Sequence, residues 1–183
     1  MAFQSDYESV VKQGKGYGEG EIIKFALQNS KLLAEADNFY KLTGRLIVKN
    51  LNKVISESSK YINYFIVHPA EFSGSALVST VFYKVNVDFY RKNLIDTYKK
   101  VDDLNGVYLE KLFYNVLLDC GTNIRSFPIF PKISGKSGST GDLYDYSTIK
   151  LIREKTFNWF GFYDLKPNFL VRWIFGIYNK LKK

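Results

Sequence analysis

The sequence predicts a mainly α fold, a single-domain helical bundle interrupted by one long loop, and three observations carry that expectation. Apolar residues recur at helical spacing through most of 21–66. "RKNLIDTYKKV" and the stretch Val107 to Leu118 repeat the same periodicity. One segment alternates as a strand would, and no second strong strand offers itself as a partner.

Taken in chain order, Ser5 and Glu8 fit a capping box, with a short helix from Asp6 to Gln13 closed by Gly14. The run "GKGYGEGE" places Gly14, Gly16, Gly18 and Gly20 at alternate positions and reads as a hinge, so that 1–20 form an N-terminal arm. A helical core over 21–120 follows. Ile22, Ala26, Leu33, Ala36 and Tyr40 make its first stripe; after a break or kink at Gly44, Ile47, Leu51, Val54, Tyr61 (or Ile62) and Phe65 make a second, ended by Pro69. "VFYKVNVDF" sets Val81, Tyr83, Val85, Val87 and Phe89 against Lys84, Asn86 and Asp88. A helix over 75–101 is preferred there, with a short β segment near 80–90 as the alternative. Gly121 is placed to stop the helix that contains Leu118. The segment 121–146, with its prolines, glycines and serines, reads as a long loop. Ser147 caps a helix to Phe160, and Pro167 with Asn168 opens the last one, so that 147–183 are aromatic, basic C-terminal helices.

With 183 residues the chain can bury a core without staples. A single cysteine, Cys120, excludes an internal disulfide, and a single histidine, His68, excludes His-rich metal sites within one chain. The start "MAFQSDYESVVK" lacks the basic-then-apolar order of a secretory signal. No stretch has the roughly 18 apolar residues of a spanning helix. The expected location is therefore intracellular and soluble, or in a virion. The net charge of +8 is unevenly placed: residues 1–124 carry 15 Lys/Arg against 14 Asp/Glu, and residues 125–183 carry 11 against 4.

The chemistry-bearing candidates are weak. "KISGKSGSTGD" contains Gly135-Lys136-Ser137, the end of a phosphate-binding loop, but Phe130 stands where that loop requires its first glycine. The glycines of 14–20 offer a second phosphate cradle, opposed by Glu19 and Glu21 at the helix entrance, where they suit the dipole. His68 precedes a proline and reads as a helix-end histidine; a catalytic pairing with Cys120, with Glu71 nearby, has no local support. The carboxylate pairs Glu19/Glu21, Glu35/Asp37, Asp102/Asp103 and Asp142/Asp145 sit among lysines, as solvated surface does. No cofactor is expected and no metal site.

The informative region is the end of the chain. Between Phe157 and Tyr178 lie nine aromatics, including both tryptophans. "NFLVRWIFGIYNKLKK" gathers Phe169, Leu170, Trp173, Ile174, Ile177, Tyr178 and Leu181 into one stripe, with Arg172, Lys180, Lys182 and Lys183 mostly on the other face. Four readings compete: a helix docked on the core, a protein–protein anchor, a basic membrane-surface helix, and a nucleic-acid contact. The expectation adopted is a non-enzymatic structural protein, an assembly subunit bound to other protein subunits of a larger complex. Its partner-binding residues are Phe169, Leu170, Arg172, Trp173, Ile177, Tyr178, Lys180, Lys182 and Lys183. A viral or phage particle is the suggested setting, from the Phe-, Tyr-, Asn- and Lys-rich bias of AT-rich coding sequence. The alternative is a basic protein on an anionic membrane or a nucleic acid, held through its C-terminal third.

Overall fold

The computed structural model describes residues 2–68, 75–121, 123–137, 141, 143–144, 147–167, 170–171, 173 and 177. It corrects the fold class. Helix accounts for 48% of these residues and strand for 18%, in three sheets, so the protein is mixed α/β and neither a helical bundle nor all-α.

The N-terminal arm is helical from Tyr7 onward, apart from Gly14. Helix α1 (Tyr7–Gln13) ends at Gly14, as expected, but its cap is Asp6, which accepts from the Ser9 amide; the Ser5 hydroxyl donates instead to Glu21, 2.7 Å away. The glycine run is no hinge: it opens α2 (Lys15–Asn29). Gly16 and Gly20 lie four apart on one helical face, where a side chain on Gly20 would collide with Tyr98. The glycines let α2 approach its neighbours closely, which outweighs their low helix propensity. Ser30 then caps the short α3 (Lys31–Glu35).

The helical core expected over 21–120 is overturned by a sheet. β1 (Asn38–Leu42), β3 (Asn63–Tyr64), β6 (Phe82–Asn86) and β7 (Ile124–Arg125) form a four-stranded sheet in the order β1-β6-β3-β7. β6 is antiparallel to both β1 and β3, and β7 runs parallel to β3. A second sheet joins β2 (Leu46–Val48), β8 (Ile133–Lys136) and β9 (Leu143–Tyr144), and β4 (Val67–His68) pairs with β5 (Leu77–Val78). Thus 121–146, expected as a loop, contributes three strands. Gly135 explains one of them: its φ of 134° and its close approach to the Arg45 carbonyl leave no room for a side chain between β2 and β8.

The helix preferred over 75–101 is in fact strand followed by helix. β6 is the central strand, and Asn86 ends it by capping α5 (Val87–Asn93). Tyr83 and Val85 face a core shared with α2, α5 and α6 (Leu109–Cys120), whose buried residues include Leu27, Tyr90, Phe113 and Leu117. Phe82 faces the opposite core, with Val54 of α4 (Leu51–Glu57), Tyr64, Phe127, Phe130 and Ile133. Burial on both faces gives a strand a near-continuous apolar run, which periodicity alone cannot tell from a helix. Lys84 belongs to this interior and not to the polar face expected for it. It is 2% exposed, and its ammonium donates to the carbonyls of Ser59, Lys60 and Ile62 at 2.9, 3.1 and 2.8 Å. Burial lowers its pKa to about 8.

Two terminators stand where the sequence puts them. Gly121, at φ 68°, closes α6, and Ser147 caps α7 (Thr148–Trp159) by accepting from the Lys150 amide.

Candidate functional site

Helix α7 is turned inside out. At about 100° per residue, Leu151, Glu154, Phe157 and Asn158 share one face, and Ile149, Ile152, Thr156 and Trp159 share the opposite one. The first face is the inner one: Glu154 and Asn158 are buried. The second is open to solvent, with Ile149 81% and Trp159 82% exposed.

Glu154 and Asn158 face inward, beside Leu151 and Phe157, because partners wait there. The Tyr163 hydroxyl donates to the Glu154 carboxylate, whose other oxygen takes Arg153 at 2.5 Å. Asn158 donates its amide to the Phe127 carbonyl at 2.7 Å. A buried carboxylate or carboxamide is costly unless it is satisfied, so these contacts hold the helix in this rotation. Asn158 Oδ1 nevertheless has no partner among the described residues.

The following chain continues the pattern. Phe157, Phe162 and Val171 form a small core of their own, the two rings stacked at 4.8 Å. Leu170, Val171, Trp173 and Ile177 are helical. Val171 is buried, whereas Trp173, about 200° further round, is 58% exposed, and Leu170 and Ile177 lie on the same outer arc. Of the partner-binding residues expected from sequence, Leu170, Trp173 and Ile177 are thus at the surface. Phe169, Arg172, Tyr178, Lys180, Lys182 and Lys183 lie outside the described residues.

Beside α7 runs a groove of about 620 Å³. α4 supplies Lys53, the chain around β7 supplies Arg125 and Lys132, and α7 supplies Lys155 and Trp159. Asn50 shapes one wall, accepting from the Lys132 amide at 2.7 Å and donating to the Phe130 carbonyl at 3.1 Å. Asp164, the carboxylate on this groove, accepts from the Ser126 amide at 2.8 Å.

Comparison with protein-family models, with characterised proteins and with solved structures finds no match. Function must therefore be argued from the residues.

The other sequence candidates are placed as follows. Gly135 and Lys136 lie in β8, hydrogen-bonded to β9, so the Gly-Lys-Ser stretch has extended backbone where a phosphate loop would curl. His68 is a strand residue and not a helix-end one: it pairs with Leu77, and its ring stands edge-on to Tyr163 at 6.0 Å. Cys120 ends α6, where burial and then the Asp119 charge raise its pKa, so the thiolate is disfavoured. Glu71, Asp142 and Asp145 are outside the described residues.

Glu19 is spent on Lys41 at 2.7 Å, and Asp102 caps the turn at 103–105 by accepting from the Asn105 amide. Lys41 also donates to Thr43 and to the Thr80 carbonyl, and burial lowers its pKa in spite of Glu19. No group of three His, Cys, Asp or Glu among the described residues could hold a metal ion. No helix among them is long and apolar enough to cross a membrane.

The groove was invisible to sequence reasoning. Lys53 lay in a supposed helix and Arg125 in a supposed loop, and long-range pairings of β3 with β7 and of β2 with β8 bring their segments together.

Proposed function

We propose that this protein is a non-enzymatic assembly subunit that docks onto a partner protein through the outer faces of α7 and the final helical segment. The observation that carries the reading is the inverted polarity of α7. Ile149, Ile152 and Trp159 face solvent while Glu154 and Asn158 are buried. Exposed apolar patches of this kind mark interaction surfaces. Trp and Ile on a regular helical face, bordered by basic side chains, supply the anchor-and-rim anatomy of protein interfaces. The shared core of Phe157, Phe162 and Val171 ties the two helical segments into one docking element.

The charge selects the partner. Residues 125–183 carry 11 Lys/Arg against 4 Asp/Glu, which disfavours pairing with a second copy through the same face. The fitting partner is a different protein with an apolar surface edged by carboxylates. The test is purification of the tagged chain from its own host, beside an Ile152→Asp, Trp173→Ala variant. The wild type should leave with one protein at fixed stoichiometry, and the complex should re-form from the two purified chains. The variant should be folded and alone. A wild-type chain that is monomeric in host extract, or that binds anionic vesicles and no protein, would overturn the reading.

A further inference from the structure

The groove beside α7 gathers four cations against a single carboxylate, Asp164. Several basic groups elsewhere are paired: Lys24 and Lys99 with Asp96, Lys41 with Glu19, Arg153 with Glu154. Lys53, Arg125, Lys132 and Lys155 make no ion pair among the described residues, although all four line one cavity. Asp164, which accepts from the Ser126 amide, offsets one of these four charges and leaves an excess of three. A concave surface with an excess of one sign focuses potential and draws anions.

Two further features give the ligand more than charge. Trp159 stands on the groove with 82% of its surface exposed, a flat ring at the edge of a basic channel. Asn158 also lines the groove, is 91% buried by the complement of its 9% exposure, and leaves its carboxamide oxygen unpartnered. An orphan acceptor in such a place asks for a donor from outside the chain. A ligand that satisfies all three carries spaced negative charges, a flat aromatic face and an N–H donor on that face's edge.

We infer that this groove binds single-stranded nucleic acid, with phosphates along Lys53, Arg125, Lys132 and Lys155 and a base stacked on Trp159. A base in a duplex has both faces covered by its neighbours, whereas an unpaired base offers a face to an aromatic ring and an edge to a buried amide. A run of Asp and Glu would meet the cations and could donate a backbone N–H, but it offers no aromatic face to Trp159. The inference does not rest on the docking reading. Trp159 alone belongs to both surfaces, so the decisive cations are those of the groove.

The experiment is fluorescence anisotropy of a labelled oligo-deoxythymidine with the full chain across a salt series. Single strands release about 0.7 counterion per neutralised phosphate, so four contacts should give a log–log slope of about −3. Lys53→Ala, Arg125→Ala and Lys155→Ala combined should reduce the steepness by about 2 by the same relation. If that variant fails to fold by circular dichroism, Lys155→Ala alone should remove about 0.7. Trp159→Ala should weaken binding by about tenfold, in the range for loss of one stacked base, and leave the slope unchanged. The Ile152→Asp, Trp173→Ala variant should bind the oligomer as the wild type does, which separates this site from the docking face. Absence of binding at low salt would overturn the inference. So would polyglutamate competing as well as the oligomer while Trp159→Ala changes nothing.

Discussion

Helices α6 and α7 have the same length, twelve residues each, and opposite polarity. α6 buries Leu109, Phe113 and Leu117, one turn apart, against the sheet, and its rim is polar. α7 buries Glu154 and Asn158 and leaves Ile149, Ile152 and Trp159 outside. Both show helical apolar periodicity in sequence. The periodicity says that a helix has a stripe; it does not say which way the stripe points. In α6 the stripe is stability. In α7, on our reading, it is recognition.

The largest effect that tests this contrast is on the α6 side. Phe113→Ala removes a ring packed edge-on against both Tyr83 and Tyr90 and should cost about 3–5 kcal/mol in urea unfolding. A loss as small as that of a surface change would mean that α6 is not the wall of the core. On the α7 side, Tyr163→Phe withdraws the hydroxyl from buried Glu154 and should cost about 2–3 kcal/mol, as hydrogen bonds to charged groups do. A neutral result would show that the inward polar face is not what fixes the helix's rotation.

A smaller effect is expected at Lys84, where Lys84→Met strands three carbonyls but also relieves a buried charge, for a net cost of about 1–2 kcal/mol near neutrality. Its pH signature is more telling. The native amine releases its proton at about pH 8, while the unfolded lysine keeps it up to its ordinary value of 10.5. Between those limits the unfolded state binds more protons, so wild-type stability should rise relative to Lys84→Met as pH increases from 8 toward 10.5. A constant difference across that window would refute the assignment of a desolvated ammonium. The smallest stability effect belongs to Ile149→Ser with Ile152→Ser, expected within about 0.5 kcal/mol of wild type because both side chains are already in water. A large destabilisation would place α7's outer face in the core and end the comparison.

Much of the local grammar was legible. Gly14, Gly121 and Ser147 end or begin helices where their chemistry says they should, because caps are set by residues three or four apart. The sheet was not legible, because its pairings are non-local. "NFYKL" of β1 continues a helical spacing begun in α2, and only Val85 and its neighbours on β6, more than forty residues on, draw it into a strand. The glycine run failed for the same reason: Gly20 looks like a break until Tyr98 is set against it. At the candidate site, the apolar spacing of α7 and the basic bias of the last third were on the page. The inward turn of Glu154 was not, since it depends on Tyr163 arriving from the next turn of chain.

The parallel pairing of β7 with β3 imposes an order in time. Residues 63–64 cannot complete their side of the sheet until residues 124–125 have been made, because no earlier segment occupies that edge. The layer of α2, α5 and α6 draws nearly all its buried residues from the first 117, so it can condense while the rest of the chain is still being synthesised. The opposite layer waits for Phe127, Phe130, Ile133 and finally Tyr163. A nascent chain whose first 120 residues have emerged from the ribosome would hold one nearly finished wall and one bare apolar face, with Phe82 and Tyr64 lacking their later partners. That half-built state, and not the finished protein, is where a chaperone would find its substrate.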